Sequence, residues 1–152
     1  MPTPHGPGGP SPARLQGRAT WLVSRAHARA FGLLNAGFEA HGDGLRGYHY
    51  RLLAALEEWG PASQAEVGRS TGIDRSDVTA VLTDLEARGL VVRSVDPANK
   101  RRKIVTITER GAARLLELDE VVDGVQREFL APLTAAQRRQ FLDLVALLAG
   151  KR

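Results

Sequence analysis

The stretch from Ser63 to Gly111, SQAEVGRSTGIDRSDVTAVLTDLEARGLVVRSVDPANKRRKIVTITERG, most narrowly limits what this chain can fold into. Ser63 and Glu66 form an S-x-x-E capping box, in which the serine oxygen accepts an orphan backbone N–H and the glutamate reaches back to the serine's own N–H. The helix that starts near Gln64 cannot run far. Thr71-Gly72 follows within about two turns, and glycine ends helices in a left-handed conformation. Asp74 is placed to cap a second helix, with Ile73 just before it and Val78 in its first turn as a hydrophobic staple. Two short helices joined by about three residues make a helix-turn-helix.

In the second helix Val78, Val81, Leu82 and Leu85 recur at the spacing of a buried stripe. Arg75, Ser76, Thr79, Ala80 and Thr83 fall largely on the other face. These side chains are small or end in donors, which suits close approach to base edges and phosphates in the major groove, and arginine commonly reads guanine. Periodicity alone leaves open a merely solvated helix face.

The next segment adds a hairpin. Gly89 can stop the second helix, and Leu90-Val91-Val92-Arg93-Ser94-Val95 is a β-branched run. Asp96-Pro97-Ala98-Asn99 is turn chemistry, because proline presets φ and Asp and Asn bond back to nearby backbone. Lys103-Ile104-Val105-Thr106-Ile107 then reads as the returning strand. From Arg93 to Lys103 there are five basic side chains, Arg93, Lys100, Arg101, Arg102 and Lys103, against one acid, Asp96. A hairpin tip so charged can hold phosphates, and an arginine there can enter a narrow minor groove, where negative potential is concentrated.

These residues carry a resemblance. The run Asp74-Arg75-Ser76-Asp77-Val78-Thr79, then Leu85-Glu86-Ala87-Arg88-Gly89-Leu90-Val91, then Arg93, Asp96-Pro97, Arg101 and Val105-Thr106-Ile107-Thr108 with Gly111, resembles the MarR family of bacterial transcriptional regulators. The likeness spans nearly the whole chain after the first dozen or so residues. It implies a mostly α fold with a small β-wing, and DNA contacts from Gln64, Arg75, Ser76, Thr79, Ala80, Thr83, Arg93, Lys100, Arg101, Arg102 and Lys103. The family's wing usually reads D-P-x-D-[RK]-R, so the matching minor-groove arginine is Arg101. Asn99 stands where the family has an aspartate. A carboxylate there would hold the wing arginine by a charge-assisted bond, whereas asparagine offers a neutral carbonyl oxygen.

Composition fits a DNA partner. The formal net charge is +4, and this modest excess is concentrated in the wing, which favours an anionic partner. A chain of 152 residues with 43% apolar and 25% charged content suits one globular domain. Without cysteine there is no disulfide framework or thiol switch, which removes the peroxide-sensing branch of the family. No apolar run approaches the ~18 residues of a membrane span and no signal peptide is visible, so the expected location is the cytoplasm, with no membrane partner.

The flanks read as follows. Met1 to Pro12 is rich in proline and glycine and reads as a disordered tail, counted to residue 13, in which the lone His5 does nothing. A helix is expected from about Arg14 to Ala40 and a second from Leu45 to Trp59, stopped by Gly60-Pro61. The resemblance makes Gly60-Pro61-Ala62 the short third strand of the wing sheet. Thr108 caps a helix from about Glu109 to Leu130, whose Leu115, Leu118, Val122, Val125 and Phe129 step like a coiled-coil seam. Pro132 ends it, and Thr134 with Gln137 caps a last helix carrying Phe141, Leu142, Leu144, Val145, Leu147 and Leu148. That helix is too apolar for a lone surface helix and should lie between subunits. Residues 14–41 and 109–152 would thus form the dimerisation region and residues 45–108 the winged helix-turn-helix. Two heads of a two-fold dimer then meet an inverted repeat with half-sites about 34–36 Å apart.

The resemblance also implies a small anionic or phenolic aromatic effector, bound between dimerisation helices and reading head. Trp21, Arg25, His27, Tyr48 and His49 pair aromatic faces with cationic or hydrogen-bonding tips, although Trp21 and Tyr48 would serve equally as core or dimer contacts. Four histidines without an acidic cluster give no metal-ligand spacing, and no cofactor is expected. There is no phosphate loop, metal signature or nucleophile elbow, so an enzyme is not expected. Two other readings stand beside the operator-specific repressor. One is a nonspecific or ligand-independent DNA-binding protein, and the other a winged helix used for protein interaction, which would carry an acidic or apolar wing.

Overall fold

A computed structural model describes residues 11–150. Most of the expected tail, with His5, lies outside the described residues. Residues 11 and 12 lie outside any helix or strand, and Ala13 opens a short helix α1 (Ala13–Gln16). The single helix expected from Arg14 is therefore two. Gly17 and Arg18 interrupt it, Gly17 N–H closing on the Leu15 carbonyl, and α2 runs Ala19–His41.

The helix α3 spans Gly47–Trp59 and starts two residues later than its apolar pattern suggests. Leu45 is buried but precedes the helix, because Arg46 takes extended backbone angles and its N–H is accepted by His49 Nδ1 at 3.0 Å. A two-residue strand β1 (Ala62–Ser63) leads into α4 (Gln64–Thr71) and α5 (Arg75–Ala87). The wing follows as β2 (Val91–Asp96) and β3 (Asn99–Ile107), then α6 (Glu109–Phe129) and α7 (Ala135–Leu148).

The capping boxes expected at Ser63/Glu66 and Thr134/Gln137 are both formed, and Thr108 Oγ1 accepts the Gly111 N–H. Asp74 is the N-cap residue of α5, but its side chain makes no cap hydrogen bond. Gly72 ends α4 in the left-handed region (φ 67°), which turns the chain into α5. At the start of α6, Gly111 is buried, and a Cβ there would sit 2.1 Å from the Leu90 carbonyl oxygen. No other residue lets the first turn of α6 approach the base of β2 so closely.

The sheet is antiparallel in the order β1-β3-β2, with Ala62 opposite Val105 and Ser63 opposite Ile104 on one side of β3, and Val91 opposite Ile107 on the other. One core joins these parts. Phe38 of α2, Leu52, Leu53 and Leu56 of α3, Val67 of α4, Val78, Leu82 and Leu85 of α5, Val91 and Val105 of the wing, and Leu115 and Leu118 of α6 are all buried in it. Val81 packs against it half-buried. The stripe read in α5 is therefore the side that locks the helix down, and it leaves the opposite face outward.

Tyr50 fastens α3 to α6 by donating its hydroxyl to Asp119 Oδ1 at 2.8 Å. Burial, then that bond, pushes the phenol up to about 12. α7 differs from every other long helix, because it contributes no buried residue. Its Leu142, Leu144, Val145, Leu147 and Leu148 are exposed, as are Leu22, Val23 and Phe31 on α2. Among the described residues no helix is long and apolar enough to cross a membrane.

Candidate nucleic-acid interface

The outward face of α5 carries Arg75, Ser76, Thr79, Ala80 and Thr83, all exposed. Its threonine hydroxyls are oriented by the protein itself. Thr79 Oγ1 donates to the Arg75 carbonyl at 3.1 Å and accepts from Gln64 Nε2 at 2.8 Å, while Thr83 Oγ1 donates to the Thr79 carbonyl at 2.8 Å. Gln64 therefore couples the first helix of the pair to the middle of the second.

Between this face and the wing runs an open groove of about 1040 Å³, lined among others by Gln64, Arg69, Arg75, Arg101, Arg102 and Lys103. Arg69, in the last turn of α4, escaped the sequence reading. Its only signal was a basic side chain on the side of α4 opposite Val67, which spacing does not set apart from an ordinary solvated residue. Among the described residues the charged ends of Arg69, Arg75, Lys100, Arg101 and Lys103 make no ion pair and no hydrogen bond to the protein. Of these, Arg69, Arg75, Arg101 and Lys103 line the groove, and unneutralised cations along one groove attract a polyanion.

Two of the wing arginines behave differently. Arg93 is only 14% exposed at its side chain, and it clasps Glu86 of α5 with its Nε (3.0 Å) and a terminal nitrogen (2.6 Å) while its backbone N–H donates to the same carboxylate. A terminal nitrogen of Arg93 also reaches Thr83 Oγ1 at 3.3 Å. The hydrogen bonds from Arg93 hold the Glu86 carboxyl below its ordinary range. Arg102 folds back on Glu66 and Asp96. The candidate contacts thus divide into free cations and cations already engaged.

The wing is longer than its β-branched residues indicate, since β3 begins at Asn99 rather than Lys103. Asp96 lies opposite Asn99 and Val95 opposite Lys103, so Lys100, Arg101 and Arg102 have no counterparts on β2 and form a bulge near the tip. Asp96 Oδ1 accepts the Ala98 N–H at 2.9 Å, and Asn99 Oδ1 accepts the Arg101 N–H at 3.1 Å. Asn99 therefore orders the backbone of the bulge and leaves the Arg101 guanidinium unheld.

Behind the head, His49 is buried between α3 and α5. Its Nδ1 accepts from Arg46 N–H and its Nε2 lies 2.8 Å from Asp84 Oδ2, so a neutral ring protonated at Nε2 satisfies both contacts. Arg88 Nε bonds both Asp84 oxygens at 3.1 Å. Burial above all lowers the affinity of His49 for a proton, against the attraction of Asp84. Burial opposes ionisation of Asp84, but the bonds and charges of Arg88 and His49 outweigh it and hold the carboxyl below its ordinary range.

The residues singled out for an effector do not all converge. Trp21 and Arg25 stack on one another near the start of α2, 6.0 Å apart, and Trp21 Nε1 donates to Ser11 Oγ. Tyr48 lies under Arg51 at 5.8 Å. A cleft of about 240 Å³ between α2, α3 and α6 is lined by His27, Phe31, Leu34, Arg51, Val125 and Phe129 among others. His27 alone of the five lines it, and Tyr48 does not, although it stacks with Arg51, which does. Both His49 ring nitrogens are taken by the protein. Arg51 carried no sequence signal and Phe129 read only as part of the helical seam, because only the fold brings them to one cleft.

The comparisons agree with this geometry. A sequence model described as MarR family matches residues 43–102. A probable transcriptional regulator from Pseudomonas aeruginosa has a crystal structure with 32% identity and a TM-score of 0.78, over 89% of this chain and 99% of that one. The regulator BpsR of Bordetella bronchiseptica, solved in a study of how 6-hydroxynicotinic acid regulates its DNA binding, is 26% identical with a TM-score of 0.79, over 93% of this chain and 99% of that one. The transcriptional repressor CouR, solved on a 23-mer DNA duplex, is 25% identical with a TM-score of 0.80, over 90% and 96% of the two chains. The first curated relatives are matched over less of their length, the aligned region spanning 64%, 58% and 58% of them. These relatives are transcriptional regulators and repressors rather than enzymes. With its helix-turn-helix, its three-stranded wing and a relative matched over almost its whole length, the chain belongs to the MarR family of transcriptional regulators.

Proposed function

We propose that this chain is a cytoplasmic, sequence-specific repressor that binds an inverted-repeat operator as a homodimer and is released by a small aromatic anion. The groove between α4, α5 and the wing carries this reading, because its unpaired cations lie beside a helix face of small, hydrogen-bonding side chains. With α5 in the major groove, Arg75, Ser76, Thr79, Ala80 and Thr83 meet base edges and flanking phosphates. Arg101 then meets the adjacent minor groove, and Arg69, Lys100 and Lys103 neutralise the backbone. CouR on its duplex supports this docking by likeness of fold.

The uncovered apolar side chains of α7 and α2 support the dimer, since one soluble chain seldom leaves so many exposed together. The cleft between α2, α3 and α6 supports the effector. Phe31 and Phe129 offer ring faces, while Arg51 and His27 offer a cation and a hydrogen-bonding tip. BpsR, whose DNA binding is the one tied to 6-hydroxynicotinic acid, matches that chemistry. A ligand wedged between α2, which belongs to the dimer, and α3, which carries the head, would alter the spacing of the two heads.

The test is selection of bound duplexes from a random library at near-physiological salt. An enriched inverted repeat is expected. Salt-sensitive binding without a preferred sequence would replace the repressor with a nonspecific DNA-binding protein, and no binding would favour an interaction module.

A further inference from the structure

β1 ends at Ser63, which pairs with Ile104, so beyond that point the β1 edge of β3 has no strand beside it as it runs to the tip. Arg102 lies two residues further along, and its guanidinium turns back toward the body. One terminal nitrogen lies 3.2 Å from each oxygen of Glu66, and Nε lies 3.6 Å from Asp96 Oδ2 across the hairpin. Glu66 is the capping-box acid of α4, and its Oε2 also accepts the Ser63 N–H and hydroxyl, each at 2.8 Å. The carboxylate that starts the helix-turn-helix therefore also holds the wing.

We propose that Arg102 is a latch and not a DNA contact: it clamps the wing to α4 through Glu66, braced across the hairpin by Asp96, and so sets where Arg101 enters the minor groove. Asp96 and Asn99 order the backbone of the tip but leave the Arg101 guanidinium free, and Arg93 ties only the base of β2, to Glu86 of α5. The latch anchors the tip from outside it. Arg102 also neutralises two acids that would otherwise face the phosphates. Pulling it away to bind a phosphate would uncover both of them.

The inference rests on the DNA-binding reading, and Glu66→Gln separates the two. Glutamine preserves the capping box, so α4 should start as before and the melting temperature should hold. If Arg102 is the latch, Glu66→Gln weakens binding to the selected duplex by about threefold to fivefold per wing, the effect of one exposed ion pair, even though an acid has left the interface. In an Arg102→Ala background the same change should cause no weakening. If Arg102 contacts a phosphate instead, Glu66→Gln frees it and removes a repulsive charge. Unchanged or tighter binding of Glu66→Gln would therefore overturn the latch while leaving the DNA-binding reading intact. Failure of the unaltered chain to enrich any duplex would overturn both.

Discussion

The cations of the wing are alike in the sequence and unlike in the fold. Arg93 is spent on Glu86 and Arg102 on Glu66, whereas the Arg101 guanidinium is unpaired at the tip. Arg101→Ala should therefore weaken operator binding across sequences and lower the slope of log affinity against log salt by about one unit per wing. Equal affinity and slope at several salt concentrations would remove Arg101 from the interface. Arg75→Ala should instead relax the preferred sequence at one position of each half-site, since a good base contact is worth ~1–3 kcal/mol of discrimination. The run of basic residues and the small face of α5 were legible because both are local. Which cations stay free was not, since it depends on Glu86 and Glu66, acids that the hairpin and the helix pair bring in from elsewhere in the chain.

At the level of elements, apolar periodicity and glycine stops located every long helix, but not where each element begins. Leu45 is apolar and buried, so it reads as helix, yet His49 Nδ1 captures the Arg46 N–H and sets the start at Gly47. The polar start of β3 reads as turn, yet Asp96 and Asn99 pair across the hairpin. A side-chain bond to backbone decided the first and pairing across the hairpin the second, and hydrophobic pattern reports neither. His49 also joins α3 to α5, facing Asp84, Arg88 and the Arg46 N–H. Its folded pKa lies below the ordinary 6.5, so the unfolded chain takes up the proton first as pH falls. The stability it contributes is thus whole above about pH 6.5 and is lost as pH falls through the folded pKa. Denaturant unfolding between pH 8 and 5 should show this loss, and His49→Gln should flatten it. Equal pH dependence of the two proteins would show that the ring does not couple the helices in this way.

For the molecule as a whole, one core joins the head to α2, α3 and α6, so a continuous packed path runs from α2 and α6 to α5. The proposed dimer shows in the sequence only as an excess of apolar residues in the last helix, and the fold leaves that excess uncovered. Of the five residues read for an effector only His27 lines the cleft, whereas Arg51 and Phe129 line it only because the fold sets α3 and α6 beside α2.

The central claim is that two copies of this head grip one inverted repeat, and hydroxyl-radical footprinting of the enriched duplex tests it most directly. The account predicts two protected half-sites with centres one helical turn apart, about 34–36 Å, each flanked by a protected minor groove that Arg101→Ala exposes. One isolated patch of protection, or flanks that persist unchanged in Arg101→Ala, would contradict it.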